Sequence, residues 1–117
     1  MENITSKCEF IVPEKELDWS KVETLPDGVK ECILYKDEDS GTYSRLLFFE
    51  TGFKGTDKPL VHDFDEVVYI VSGGAVNPRL GCHYPAGSVA FFPAGQKHGP
   101  LDYPVGALVI EFRHYRK

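Results

Sequence analysis

The apolar residues of this chain come in short runs, each closed by turn residues. Four runs are rich in β-branched and aromatic side chains: Thr42 to Glu50, Glu66 to Ser72, Ser88 to Phe92 and Ala107 to Tyr115. Such residues favour a pleated, half-buried surface. Around them stand Pro26-Asp27-Gly28, Asp39-Ser40-Gly41, Gly52, Gly55, Gly73-Gly74, Asn77-Pro78, Gly81, Pro85-Ala86-Gly87, Pro93-Ala94-Gly95, Gly99-Pro100 and Gly106, which read as turns. The pattern predicts an all-β domain with little or no helix. Only Glu14 to Glu23 suits a short helix, and Trp19 within it is expected to plug one end of a barrel.

In the last run Leu108, Ile110 and Phe112 alternate with Val109, Glu111 and Arg113, so one set faces the core and the other is at least partly wet. His114 shares the parity of Ile110 and Phe112 and is expected at the edge of the core. The run Glu66 to Ser72 is apolar at almost every position. Cover on both faces is expected there, from a second sheet or from a second subunit.

At 117 residues the chain suits one core, and residues 1–117 are read as a single domain. Hydrophobic residues make up 42% and aromatic residues 13%, enough for burial to carry the fold. The formal net charge of -5 argues against nucleic acid as a partner, because that affinity rests on cations neutralising phosphates. Arg113 to Lys117 forms the one basic cluster and reads as a solvated strand end. Cys8, Cys32 and Cys82 follow neither a disulfide framework nor a metal-type spacing and are expected as reduced thiols. The run Phe10 to Val12 before Pro13 is too short for a signal-peptide core or a membrane span, so cytoplasmic residence is the expectation.

Four histidines are a small supply, so their positions carry information. His62 and Glu66 stand just before an apolar strand, and His98 follows a strand and a tight turn. The segment Gly87 to Asp102 resembles the second motif of the cupins, G-x5-P-x-G-x2-H-x3-N. Gly87, Pro93, Gly95 and His98 fall at the required offsets, with Asp102 where Asn is usual. The first cupin motif ends H-x-H-x3-E-x6-G, which His62, Glu66 and Gly73 match. Leu60 stands in the place of the first His, and Gly55 is one residue away from the opening Gly. The two motifs cover about 55–74 and 87–102. The lead-in from Trp19 to Phe53 also resembles the cupin-like domains of zinc-binding anti-sigma factors and small β-diketone-type dioxygenases.

The resemblance implies a double-stranded β-helix, or jelly-roll barrel, whose inner wall holds a divalent metal (Fe, Mn, Zn or Ni), usually through three His and one Glu. With Leu60 in place, the metal ligands offered are His62, Glu66 and His98, and Glu66 and His98 are also the candidate catalytic residues. Two His and one carboxylate still suffice for a metal with open positions. His83 and Asp63 are the nearest replacements in type, although His83 reads as an exposed turn residue. Asp57, Asp63 and Asp65 make the mouth of the first motif acidic, which favours cations, although a solvated loop is the plainer reading. Tyr69, Phe91 and Arg45 are candidates to line the cavity, and an inward Arg45 would suit a carboxylate-bearing ligand.

The resulting expectation is a metal-dependent enzyme of dioxygenase, isomerase or lyase type, acting on a small oxygen-rich molecule and pairing as a homodimer. Its rival is a non-catalytic binding or sensing cupin, favoured by Leu60. A metal-free acid or base, as in sugar-nucleotide epimerases of this superfold, would need more phosphate-binding cations than the chain has. The sequence has no G-x-S-x-G nucleophile elbow, no cysteine with a convincing histidine partner in motif context and no phosphate-cradling glycine loop before a helix.

Overall fold

The computed structural model describes residues 10, 19, 25–55 and 60–115. The expected helix over 14–23 lies outside the described residues, apart from Trp19. Among the described residues six strands follow one another: β1 (Val29–Lys36), β2 (Tyr43–Phe49), β3 (Asp65–Asn77), β4 (Cys82–Pro85), β5 (Val89–Phe92) and β6 (Ala107–His114). All pairings are antiparallel, in the order β1-β2-β6-β3-β4, with β5 also on β3. No helix occurs among the described residues.

Strand β3 joins two sheets. Its first part lies between β6 and β5, with Glu66 opposite both Arg113 and Phe92. Its last part, Gly74 to Asn77, pairs with β4, and Val76 bridges to Asp102. Single bridges Phe53 to Tyr103 and Leu60 to His98 extend the second layer. Gly73 and Gly74, read from sequence as a turn, sit inside β3. Gly73 has φ of +77°, and a Cβ there would run into the Gly106 carbonyl oxygen. Glycine lets the strand bend from one sheet into the other against this close neighbour. Strand β4 occupies what looked like a bare connection, so His83 is exposed on a strand rather than on a turn.

The inner face contains Val29, Leu47, Ile70, Ala75, Tyr103, Ala107 and Val109, with Phe49 stacked on Tyr103 at 3.9 Å between ring centroids. Strand β6 turns Ala107, Val109, Glu111 and Arg113 inward, while Leu108 and Ile110 pack with Cys32, Leu34, Leu46 and Trp19 on the outer side of the sheet. Apolar parity therefore marks the outer face here, because a separate cluster covers it. Trp19 belongs to that cluster and does not plug the barrel end. His114 is exposed, on the outward parity, instead of edging the core. Among the described residues β3 is covered on one face: Glu66 and Ile70 are buried, whereas Val67, Tyr69 and Val71 are exposed.

Candidate metal centre

The two cupin-like segments are laced together by backbone. Leu60 N–H donates to His98 O (2.7 Å) and His98 N–H donates to Leu60 O (2.9 Å). Gly95 N–H donates to His62 O (2.9 Å), and Ala94 N–H to Asp65 Oδ1 (2.9 Å). The tight turn Pro93 to Gly95 is thereby tied to the start of β3, and Gly95 takes the positive φ of +81° that the turn requires. Asp102, at the motif's Asn position, accepts a bond from Gly55 N–H (3.0 Å) and anchors the loop opposite.

This lacing brings His62, Glu66 and His98 together, with one ligand atom from each lying within 4.8 Å of the others. The two Nε2 atoms are 2.8 Å apart, and His62 Nε2 is 3.8 Å from Glu66 Oε1. The trio stands on the wall of a cavity of about 420 Å³, lined mainly by apolar side chains such as Leu47, Phe49, Leu60, Phe92 and Tyr103. Each imidazole lies face to face on a phenyl ring: His62 on Phe64 (4.0 Å, 6°) and His98 on Phe92 (4.1 Å, 14°).

Below the trio is a charged cluster that sequence reasoning largely missed. Arg45 faces inward and is 7% exposed; its Nε donates to Glu111 Oε1 and its Nη1 to Glu31 Oε1, both at 2.9 Å. Arg113 Nε lies 3.4 Å from Glu66 Oε2, and its Nη2 lies 3.8 Å from Glu111 Oε1. With two carboxylates on it, Arg45 is already engaged and is not a free anchor for a ligand's carboxylate. The signal for Glu111 and Arg113 was present in the alternation of β6, where two charges share one parity with Val109. Glu31 carried no such signal, because it lies in an irregular pattern.

Burial shapes the protonation of these groups. The Glu66 carboxyl is pushed up to about 8, first by burial and then by Glu111, which shares a hydrogen bond with it; Arg113 and Arg45 act in the opposite sense. Burial pushes His98 down, and neighbouring His62 adds to that, so its imidazole tends to stay neutral. Burial alone would lower the Arg45 guanidinium, but Glu111 and Glu31 hold it above its ordinary value.

A divalent cation fits this donor set. The two imidazole Nε2 atoms share a hydrogen bond at 2.8 Å, in which one ring donates; loss of that proton turns both nitrogens into lone-pair donors aimed at the same space, which a cation can satisfy. The proton of Glu66, held beside Glu111, is what such a cation would replace. The other sequence candidates are not brought in. Asp63 is exposed, Asp65 is committed to Ala94, and His83 is exposed. Tyr69 and Phe91 point outward instead of lining the cavity, and Asp57 lies outside the described residues. Leu60 lines the cavity while remaining half exposed.

No family model matches the chain, and no curated protein matches it. Solved structures do. A KdgF from Halomonas sp. aligns at 22% identity over 93% of this chain and 94% of that one, with a TM-score of 0.70. An RmlC-like cupin from Shewanella frigidimarina aligns at 23% identity over 92% of both chains, TM-score 0.68. An acetylacetone dioxygenase from Acinetobacter johnsonii aligns at 15% over 81% of this chain and 72% of that one, TM-score 0.58. These identities speak for architecture rather than activity. The two joined antiparallel sheets, the cavity between them and this structural likeness lead to one statement: the chain has the cupin fold.

Proposed function

We propose that the chain is a small metalloprotein in which His62, Glu66 and His98 bind a divalent metal, and that it acts as a metal-dependent enzyme on a small oxygen-rich organic molecule. The observation that carries the reading is the convergence of three ligand atoms within 4.8 Å on the wall of a mainly apolar cavity. A barrel that needed only packing would gain nothing from three polar groups aimed at one such space. Dioxygenase, isomerase and lyase chemistry all suit a site of this kind, and the acetylacetone dioxygenase among the structural neighbours supports the first. A bound metal would supply Lewis acidity toward chelating oxygens of the substrate. The chain's own residues do the rest. Phe49, Phe92 and Leu47 exclude water from the substrate, Glu66 and His98 are the groups that hold or move a proton beside it, and Arg113 offsets the charge on Glu66.

Leu60 favours a second reading, a binding or sensing protein without catalysis, since a side chain with no donor atom occupies the position of the first motif His. Elemental analysis of protein purified without added metal, beside His98→Ala, tests the first reading. A stoichiometric metal that is lost in the variant supports it. Wild type that neither carries nor takes up Fe, Mn, Ni or Zn at neutral pH sinks it in favour of the second. Oxygen uptake with diketones and catechols then separates dioxygenation from the other chemistries.

The proposal extends to assembly as a homodimer. Val67, Phe91 and Phe112 lie side by side in register on the outer face, with Tyr69 and Val89 in the next row, and all five are exposed. A contiguous apolar face of this kind is the usual mark of a partner surface.

A further inference from the structure

From the stacking geometry we infer that Phe64 is a positioning residue that fixes the orientation of the metal-binding His62 imidazole, in place of the hydrogen bond that ordinarily does so, and that Phe92 braces His98 by the same kind of stack. The inference rests on the metal-binding reading above. A ligating His normally donates its second ring N–H to a carboxylate or carbonyl, which sets both its tautomer and its ring angle. His62 has no such partner among the described residues: its Nδ1 is buried and makes no hydrogen bond to them. At its other nitrogen the ring shares a 2.8 Å hydrogen bond with His98 Nε2, a contact that a bound metal would replace and that leaves the broad, roughly two-fold terminal torsion of the histidine without a second support. Phe64 removes that freedom. Its ring lies parallel to the His62 ring within 6°, at 4.0 Å between centroids, and any rotation of the imidazole drives its edge into the phenyl face.

Phe64 is itself immobilised. It is 8% exposed, stands between His62 and the turn-anchoring Asp65, and packs against Tyr115 (5.4 Å) and the Arg113 guanidinium (4.3 Å). The second imidazole has the same support from a different element. Phe92 ends β5 directly opposite Glu66 in the ladder and stacks on His98 at 4.1 Å and 14°. Two phenyl rings, one from the loop before β3 and one from β5, thus hold the two imidazoles at 59° to each other with their Nε2 atoms converging. The sequence places each Phe within reach of its His: Phe64 two residues after His62, and Phe92 just before the turn that leads to His98.

The test compares wild type with Phe64→Leu, Phe64→Tyr and Leu46→Ala, using Co²⁺ as the probe metal. Leu46 packs on the outer side of the sheet and serves as a control for lost stability alone. In Phe64→Leu the Co²⁺ affinity should fall by roughly ten-fold or more, the range seen when an outer support of a metal ligand is removed. The visible d–d spectrum should change shape with it. Phe64→Tyr, which keeps the ring, should restore both, and Leu46→Ala should leave both as in wild type. Unchanged affinity and spectrum in Phe64→Leu would overturn the inference, as would an equal loss in Leu46→Ala. A metal-independent measurement keeps the two proposals separate. In metal-free wild type the carbon-bound ring protons of His62 should resonate upfield, within the ring current of Phe64, and lose that shift in Phe64→Leu. Its absence in wild type overturns the positioning role. Wild type with the shift but with no affinity for Co²⁺ or Zn²⁺ overturns the metal reading and, with it, the function assigned to the stack.

Discussion

Glu66 illustrates how one residue's surroundings decide its chemistry. Its carboxyl is raised to about 8 by burial and by Glu111, so near neutral pH the metal-free protein keeps a proton there. A group whose pKa rises on folding stabilises most below its unfolded value and loses that contribution as pH climbs through the folded one. For Glu66 the window runs from the ordinary carboxylate range up to about 8. Glu66→Gln is neutral throughout and keeps a donor for Glu111. In the presence of a chelator, the melting temperature of this variant should therefore gain on wild type by at least several degrees between pH 5 and pH 8, while metal binding is lost. A gap that stays flat with pH would contradict the assignment. Arg45 gives a complementary case. It holds the buried Glu111 and the partly buried Glu31 at 2.9 Å each, so Arg45→Met removes the cation from two carboxylates that are largely withdrawn from solvent. A loss of about 3 to 5 kcal/mol is expected by urea unfolding, and adding Glu111→Gln should recover part of it.

At the scale of the element, β3 is where the fold and the site meet. One strand supplies Glu66 to the cavity, passes between β5 and β6, bends at Gly73, and enters the second sheet at Gly74. The bend depends on a residue without a Cβ, because Gly106 lies against it and the backbone is in the left-handed region. Gly73→Ala should cost on the order of 2 kcal/mol or more in urea unfolding, from strain together with displacement of Gly106. A loss below half of that would mean that the bend tolerates a side chain. The run Glu66 to Ser72 was legible as a strand from its β-branched residues. Its continuation to Asn77 was hidden, since two adjacent glycines signal a turn unless a neighbour's backbone is known to press on them.

At the scale of the whole molecule, the outer face raises the question of assembly. Val67, Tyr69, Phe91 and Phe112 offer an apolar surface that the described chain leaves exposed, next to the part covered by the cluster of Trp19 and Cys32. If two chains pair through it, sedimentation should give a dimer for wild type and a monomer of the same fold for Val67→Lys with Phe91→Lys, because buried lysines facing each other across a two-fold would repel. A monomeric wild type at high concentration would rule out pairing through this face. The sequence by itself determined the class of fold and the trio His62, Glu66 and His98, because strand periodicity, turn residues and motif spacing are local properties of the chain. Tertiary structure alone decided which parity of β6 faces the cavity, that Arg45 is committed to two carboxylates, and that Tyr69 and Phe91 look outward. Those outcomes depend on what another part of the chain covers. An apolar stripe is inward only when nothing else shields it, and here a second cluster on the outer face reverses the rule.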